Sequence, residues 1–225
     1  MVRVHEVVSS ILTVPTIFKN KFRRLSTSID SSETLLFRLT DILERLDPPR
    51  LFPTPQKFHV EQGSGDGSFL VNYAKLRPDI NFLGVERLLG RLRKLDRKAR
   101  RISLKNFRGV RIESAYLVQY LLPPKSVDAF HIYFPDPWPK RKHRKNRLIN
   151  TTFTGIAHDA LSDGGIVYLR TDDADYFQQM TEVFSANPKF ELVETPEDLA
   201  AVITDFERNF VARGIHTRRA AYRKK

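Results

Sequence analysis

Short apolar runs typical of strands alternate along the chain with segments in which apolar residues recur at helical spacing. Helical spacing predicts two early helices, over 68–76 and from Leu88 to Ala99. The strand-like runs cover residues 57–62, 81–86, 110–113, 127–134 and 165–171. Because strands and helices alternate, we expect an α/β fold, a doubly wound Rossmann-like sheet with helices on both faces and right-handed crossovers.

The first fifty residues follow a different pattern. A patch rich in Ser and Thr over 26–34 precedes six apolar residues that fall on one helical face: Leu35, Leu36, Leu39, Ile42, Leu43 and Leu46. This pattern predicts an N-terminal arm followed by a short helix. Prolines at 48, 49, 53 and 55 then break the chain. We therefore expect an extension of residues 1–50 and a domain of residues 51–225.

Composition narrows the possible functions. The chain has 225 residues, 41% of them hydrophobic, which is enough for a full core. It has no Cys, which excludes disulfides, thiolate metal sites and Cys nucleophiles. The six His show no metal-ligand spacing, so we expect no metal. No apolar run reaches the roughly 18 residues of a membrane span, and the cytoplasm is the default compartment.

The positive charge is concentrated rather than dispersed. The formal net charge is +12, and residues 87–111 hold eleven Lys and Arg against a single Asp. Two further basic clusters occupy residues 140–147 and 213–225. Such segregation is typical of a protein that binds nucleic acid. The alternative for the first cluster is a solvated face of a helix that buries its leucines on the other side.

A glycine loop joins the first strand of the domain to its first helix. Gly63, Gly65 and Gly67 alternate with polar residues directly between the two elements. Glycines at this position let a ligand approach backbone N–H groups at a helix N-terminus. The G-x-G-x-G spacing differs from the G-x-G-x-x-G of dinucleotide-binding proteins. Glu86 ends the next strand, where a carboxylate can accept hydrogen bonds from ribose hydroxyls. The glycine loop and Glu86 together therefore favour an adenosine ligand.

The segment from Phe134 to Lys140, Phe-Pro-Asp-Pro-Trp-Pro-Lys, is the most specific motif in the chain. Three prolines in five residues stiffen the loop and hold Asp136 and Trp138 where a strand leaves the sheet. A rigid carboxylate beside an aromatic ring is suited to binding a nucleobase, and the basic residues that follow can hold phosphates. The alternative is a structural proline-rich loop with a core Trp.

The glycine loop between Glu61 and Glu86 resembles that of class I S-adenosylmethionine-dependent methyltransferases. The Phe134–Lys140 motif, Arg170-Thr171-Asp172 and Thr204-Asp205-Phe206-Glu207 together resemble the bacterial tRNA (guanine-N7)-methyltransferases over residues 57–214. The resemblance implies S-adenosylmethionine as cofactor, bound by Glu61, Glu86, Glu113 and Asp136, with Asp136 also catalytic. It implies that the substrate guanosine contacts Lys140, Asp172, Thr204, Asp205, Phe206 and Glu207. Gln62 departs from the family, which has an aliphatic residue there.

The expected reaction is therefore transfer of a methyl group to N7 of a tRNA guanine, and the resemblance implies that this guanine lies in the variable loop. Two alternatives stay open. Asp-Pro-Trp is similar to the Asp-Pro-Pro-Trp motif of adenine N6 methyltransferases but lacks one proline. A non-catalytic RNA-binding protein on the same scaffold is the other. Thr204 and Glu207 also fit a helix-capping box, and Asp172 a turn before a helix, without any role in binding. The sequence requires no protein partner.

Overall fold

The computed structural model describes residues 34–225, and residues 35–225 form one compact unit. Within it, eight strands form one sheet in the order β1-β4-β3-β2-β5-β6-β8-β7. Neighbours from β1 to β6 are parallel, and β8 runs antiparallel to β6 and β7. The strands are β1 (Leu36–Phe37), β2 (Lys57–Gln62), β3 (Ile80–Val85), β4 (Phe107–Val110), β5 (Val127–Tyr133), β6 (Leu161–Thr171), β7 (Phe190–Val193) and β8 (Arg218–Lys224).

Helices cover both faces of this sheet. They are α1 (Pro48–Leu51), α2 (Ser68–Leu76), α3 (Leu89–Arg101), α4 (Ser114–Tyr116), α5 (Thr151–Ala160), α6 (Ala174–Ser185), α7 (Glu197–Ala201) and α8 (Asp205–Val211). A π-helical turn, Leu117–Leu121, continues α4, and a 3-10 turn, Arg141–Asn146, precedes α5. Asn150 and Asp173 cap α5 and α6 by accepting backbone N–H bonds.

Two apolar clusters hold the layers together. One contains Val60 and Phe130 of the sheet with Phe153 of α5, and the other contains Phe82 with Phe69 of α2 and Leu95 of α3. Helices thus bury apolar stripes against both faces of the sheet, and the predicted doubly wound α/β architecture is confirmed. None of the helices described between residues 34 and 225 has the length and apolar composition to cross a bilayer.

The elements around the glycine loop were predicted well, and the element at residues 35–46 was not. β2 and α2 have the predicted bounds, whereas β4 ends before Glu113, which caps α4 instead. The short helix predicted over 35–46 is wrong, because Leu36 pairs with Gly109 as an edge strand. The N–H of Leu35 donates to Asp96 Oδ1 (2.8 Å), so its backbone is satisfied outside a helix.

Residues 35–50 nevertheless pack against the sheet. Leu46 is buried, and its N–H donates to the carbonyl oxygen of Leu121 (2.7 Å). The hydroxyl of Tyr116 donates to the carbonyl oxygen of Ile42 (2.9 Å). Leu43 is exposed, so the six apolar residues do not share one buried face, and helical spacing alone was misleading. The predicted arm before residue 34 lies outside the described residues.

Candidate active site

A cavity of about 510 Å³ lies at the carboxyl edge of the sheet, where β2, β3, β5 and β6 end. We call it the carboxyl-edge cavity. Parallel strands bring their ends to one edge, so residues far apart in sequence meet there. Its lining includes eight residues predicted for the site: Glu61, Gly63, Gly65, Glu86, Asp136, Asp172, Thr204 and Phe206.

The three glycines of the loop have two different structural roles. Gly63 (φ +78°) and Gly65 (φ +56°) adopt the left-handed conformation, and a Cβ on either would meet nothing within 4 Å. Both line the cavity and leave the backbone open to a ligand. Gly67 (φ +78°) lies behind them, where a Cβ would be 1.9 Å from Cδ1 of Leu95. Gly67 therefore allows α2 to pack on α3 and is not among the residues that line the cavity.

The Glu86 carboxylate fixes the shape of this loop. Its Oε2 accepts the N–H of Gly65 (3.0 Å), and its Oε1 accepts the N–H of Leu88 (2.7 Å). A carboxylate has about four lone-pair positions, so both oxygens can still accept further hydrogen bonds. The side chain is buried at the cavity wall. This geometry is compatible with a ligand that donates two hydroxyl groups, such as a ribose.

Two neighbouring polar side chains at the end of β2 lack partners. Glu61 is buried with Oε2 unbonded, and Gln62 is buried with neither Oε1 nor Nε2 bonded. Burial raises the pKa of Glu61 to about 8. A buried carboxyl group beside an open cavity fits a cationic ligand group, which would stabilise its charged form. The residues present thus fit a ligand with a ribose and a positive charge, as S-adenosylmethionine has.

The Asp136 loop is held by contacts on both of its sides. Phe134 (φ +51°) and Trp138 (φ +44°) both adopt the left-handed conformation, which is rare for large side chains. The N–H of Phe134 donates to the carbonyl oxygen of Arg170 (2.8 Å), and Arg147 Nε donates to that of Pro137 (2.7 Å). Asp136 lies between these two anchors and is exposed to the cavity.

Arg147 is the buried support of this loop. Its guanidinium also donates to Gln179 Oε1 (2.8 Å) and Asp175 Oδ2 (2.5 Å), and it stacks over the ring of Tyr176. One residue of the basic run at 140–147 therefore faces inward. No pattern in the sequence predicts this, because Arg147 is indistinguishable there from its basic neighbours.

Aromatic rings form the other side of the cavity mouth. Phe206 is 53% exposed, and its ring lies 6.1 Å from Phe134 and 6.3 Å from Phe210, centre to centre, in near-parallel orientation. All three line the cavity. An exposed aromatic face beside a carboxylate can stack against a planar base. Phe134, Phe210 and Tyr133 were not among the predicted site residues.

Besides Gly67, four predicted site residues do not line the cavity. Glu113 accepts the N–H groups of Ala115 (3.0 Å) and Tyr116 (2.8 Å) and so caps α4. Lys140 is exposed at the start of the 3-10 turn. Asp205 pairs with Arg208 and Lys98 at the first turn of α8. Glu207 is completely buried.

Glu207 and Thr204 build the helix start beside the cavity. They form the capping box of α8, and Glu207 also pairs with Arg170 (3.0 Å) and Arg219 (2.9 Å). Arg170 is itself buried and lies over the rings of Phe69 and Tyr133. The carboxylate of Glu207 therefore fixes the framework around Phe206.

A basic surface adjoins the cavity. Arg91 of α3 lines it, and Arg93, Lys94 and Arg97 are exposed on the same helix without an ion-pair partner among residues 34–225. The leucines of α3 are buried, so the helix has both the apolar stripe and the basic face that its sequence predicted. No group of three or more His, Asp or Glu in the described part of the chain could hold a metal ion.

Solved structures share this fold. A 30S ribosomal A1408 methyltransferase from an uncultured bacterium is 17% identical and matches with a TM-score of 0.56, covering 78% of this chain and 91% of that one. A geranyl diphosphate C-methyltransferase from Streptomyces coelicolor, solved with S-adenosyl-L-homocysteine, is 13% identical with a TM-score of 0.50, covering 76% and 70%. The fold is that of class I S-adenosylmethionine-dependent methyltransferases.

Sequence comparison narrows the class to a family. The family model described as "Putative methyltransferase" matches residues 55–220. The tRNA (guanine-N(7)-)-methyltransferase of Rubrobacter xylanophilus is 33% identical over 155 residues, which are 69% of this chain and 69% of that protein. That of Corynebacterium diphtheriae is 35% identical over 146 residues, 65% of this chain but only 56% of that protein. The chain belongs to the tRNA (guanine-N(7)-)-methyltransferase family, and the predicted resemblance is confirmed.

Proposed function

We propose that this chain transfers a methyl group from S-adenosylmethionine to N7 of a guanine in tRNA, in the variable loop and in the cytoplasm. The observation that carries the proposal is that Glu61, Glu86 and Asp136, from the ends of three strands, line one cavity in a chain of this family. Fold likeness alone would not carry it, because one fold supports many reactions.

The cofactor would be held by the glycine loop and its two flanking acids. Gly63 and Gly65 leave the backbone open to close approach, and Glu86 retains lone pairs for ribose hydroxyls. The unpartnered oxygen of Glu61 fits a cationic group. The bound cofactor supplies a methyl group on a positively charged sulfur.

The chain's own residues then need to position a base rather than deprotonate it. N7 of guanine has an in-plane lone pair and loses no proton on methylation, so no strong general base is required. Asp136 would orient the guanine by accepting hydrogen bonds from its N–H groups. With Glu61 and Asp172 it would also balance the positive charge that develops on the purine. Alignment of nitrogen, methyl and sulfur supplies most of the acceleration.

The tRNA would be held by the basic surface outside the cavity. Arg91 lies at the cavity rim, and Arg93, Lys94 and Arg97 of the same helix have no ion-pair partner among residues 34–225. Lys140 opens the basic 3-10 turn that follows the Asp136 loop. Phosphate contacts of this kind supply affinity without base specificity. Phe206 would stack on the target base or its neighbour.

The test is methyl transfer from labelled S-adenosylmethionine to unmodified tRNA, followed by digestion to nucleosides. N7-methylguanosine is the expected product. N6-methyladenosine would overturn the assigned base and favour the adenine alternative. No product from a folded protein that binds tRNA would favour a non-catalytic RNA-binding role.

A further inference from the structure

The carboxamide of Gln62 is buried and unpaired in the free protein. The residue is 3% exposed, and neither Oε1 nor Nε2 has a hydrogen-bond partner. Within residues 34–225, only Glu61 Oε2 and Thr217 Oγ1 are also buried without a partner. Gln62 lines the carboxyl-edge cavity, and Thr217 does not.

The surroundings of Gln62 would favour an apolar residue. It ends β2 in register with Val85 of β3 and Ile132 of β5, and both of these are fully buried. Register partners in parallel strands point to the same face, so the carboxamide lies beside two aliphatic side chains. Burying an amide without a partner is costly, whereas Leu or Ile at this position would leave nothing unsatisfied.

The acidic groups of the cavity cannot supply both a donor and an acceptor to a bound ligand, as Gln62 can. Glu86, Asp136 and Asp172 accept hydrogen bonds when ionised and donate none, and Glu61 donates none once a cationic ligand has ionised it. A carboxamide offers a donor and an acceptor side by side, which matches the edge of a purine base. A guanine O6 or an adenine ring nitrogen needs a donor, and Nε2 of Gln62, a residue that lines the cavity, has no other partner among the described residues.

We propose that Gln62 is a ligand-binding residue whose carboxamide pairs with a purine edge in the carboxyl-edge cavity. The inference rests on the proposed function, because that reaction brings two purines to the cavity: the adenine of the cofactor and the target guanine. Both present a donor beside an acceptor, and binding of either satisfies both ends of the amide.

The test is Gln62→Leu, which has a similar volume and no polar atoms. We expect an unchanged or higher Tm for the free protein, because an unpaired amide is removed. At the same time we expect about tenfold weaker ligand binding. A weaker Kd for S-adenosylhomocysteine identifies adenine as the partner, and a higher KM for tRNA with an unchanged Kd identifies guanine.

Thr217→Val is the matched control. It also removes an unpaired buried polar atom, but away from the cavity. Its Tm should be unchanged or higher, and both ligand constants should stay within twofold of wild type. If Gln62→Leu is poorly folded, Gln62→Met repeats the test with a straight chain.

The proposal is overturned if Gln62→Leu, or Gln62→Met in its place, leaves both the Kd and the KM within twofold of wild type. Failure of the proposed function is distinguishable. If the proposed function is wrong, the wild-type protein forms no N7-methylguanosine. The Kd of Gln62→Leu for S-adenosylhomocysteine, compared with that of wild type, still shows whether the amide binds adenine.

Discussion

Two cavities at opposite edges of one sheet differ in whether their polar groups are satisfied. In addition to the carboxyl-edge cavity, a second cavity of about 380 Å³ lies where β2, β3 and β5 begin. Its lining includes Lys57, His59 and Asp198. We call it the amino-edge cavity. Both are lined by polar and apolar residues.

In the amino-edge cavity, polar side chains bond to other groups of the protein. Arg77 bonds Asp79 and lies 3.6 Å from Asp198, and Asp128 accepts the N–H of Phe58 (2.7 Å) and the hydroxyl of Ser162 (3.0 Å). At the carboxyl edge, Glu61 and Gln62 keep three polar atoms without partners. Unsatisfied buried groups, rather than size, therefore distinguish a candidate ligand site from a surface hollow.

A buried chain of rings connects the two cavities. His59 of the amino edge contacts His131 (Nδ1 to Nε2, 3.1 Å), and His131 Nδ1 contacts the hydroxyl of Tyr133 (2.9 Å) at the carboxyl edge. Burial lowers the pKa of His59 to about 4 and lowers that of His131, so both rings are neutral near pH 7. This link is satisfied internally and carries no charge.

Replacing Asp136 should have the largest effect. We expect Asp136→Ala to lower kcat/KM for methyl transfer at least about a hundredfold, because it removes the group that orients the guanine. Binding of tRNA should stay within a few fold, since phosphate contacts dominate affinity. Asp198→Ala, at the amino edge, is the matched control and should change activity less than twofold. Comparable losses in the two variants would contradict the difference between the cavities.

Arg147→Lys should give the next largest loss. Lysine keeps the charge but cannot hold Pro137, Gln179 and Asp175 together as the guanidinium does. We expect kcat to fall roughly tenfold or more through misplacement of Asp136, with little change in the Kd for S-adenosylhomocysteine. A kcat equal to that of wild type in a folded variant would show that the loop needs no such support.

The pH dependence of cofactor binding should report on Glu61. Its pKa is about 8 in the free protein, and a cationic ligand favours the ionised form, so binding releases a proton below that pH. The Kd for S-adenosylhomocysteine should therefore weaken by up to about tenfold for each unit of pH below 8. Glu61→Gln should flatten this slope. A slope that persists in Glu61→Gln would assign it to another group.

The same raised pKa has an opposite consequence for stability. Glu61 stays protonated in the folded protein between about pH 4.5 and 8, whereas the unfolded chain loses that proton. Its contribution to the free energy of unfolding therefore decreases as the pH rises through this window. Thermal unfolding of wild type and Glu61→Gln across this range measures the contribution, and identical pH profiles would contradict it.

Neutralising the basic face of α3 should have the smallest effect on ligand binding in the carboxyl-edge cavity. For Arg93→Gln, Lys94→Gln and Arg97→Gln combined, we expect weaker tRNA binding and a salt-dependence slope reduced by about one for each lost phosphate contact. The Kd for S-adenosylhomocysteine should not change. An unchanged salt slope would mean that this face points away from the RNA.

The sequence predicted what depends on local pattern and on strand ends. The bounds of β2 and α2 follow from alternation and from the glycine loop between them. Glu61, Glu86, Asp136 and Asp172 could be placed together because parallel strands end at one edge. The helix at residues 35–46 failed because a free sheet edge beside Gly109 competed with helical spacing.

What the sequence could not predict depends on tertiary contacts. Arg147 and Arg170 are surface-type residues that the fold buries beneath the site, and no pattern distinguishes them from exposed arginines. Glu207 belongs to a motif implied to bind substrate, yet it is enclosed by Arg170 and Arg219. The sequence showed only that Gln62 departs from the aliphatic residue of the family. Only the structure shows that its carboxamide has no hydrogen-bond partner.

A crystal structure of the complex with S-adenosylhomocysteine tests the central claim most directly. We predict that the ligand occupies the carboxyl-edge cavity, with its ribose on Glu86 and its amino group toward Glu61, and that the amino-edge cavity holds none. A ligand bound at the amino edge, or one at the carboxyl edge that leaves Glu61 and Glu86 without contacts to it, would contradict the account.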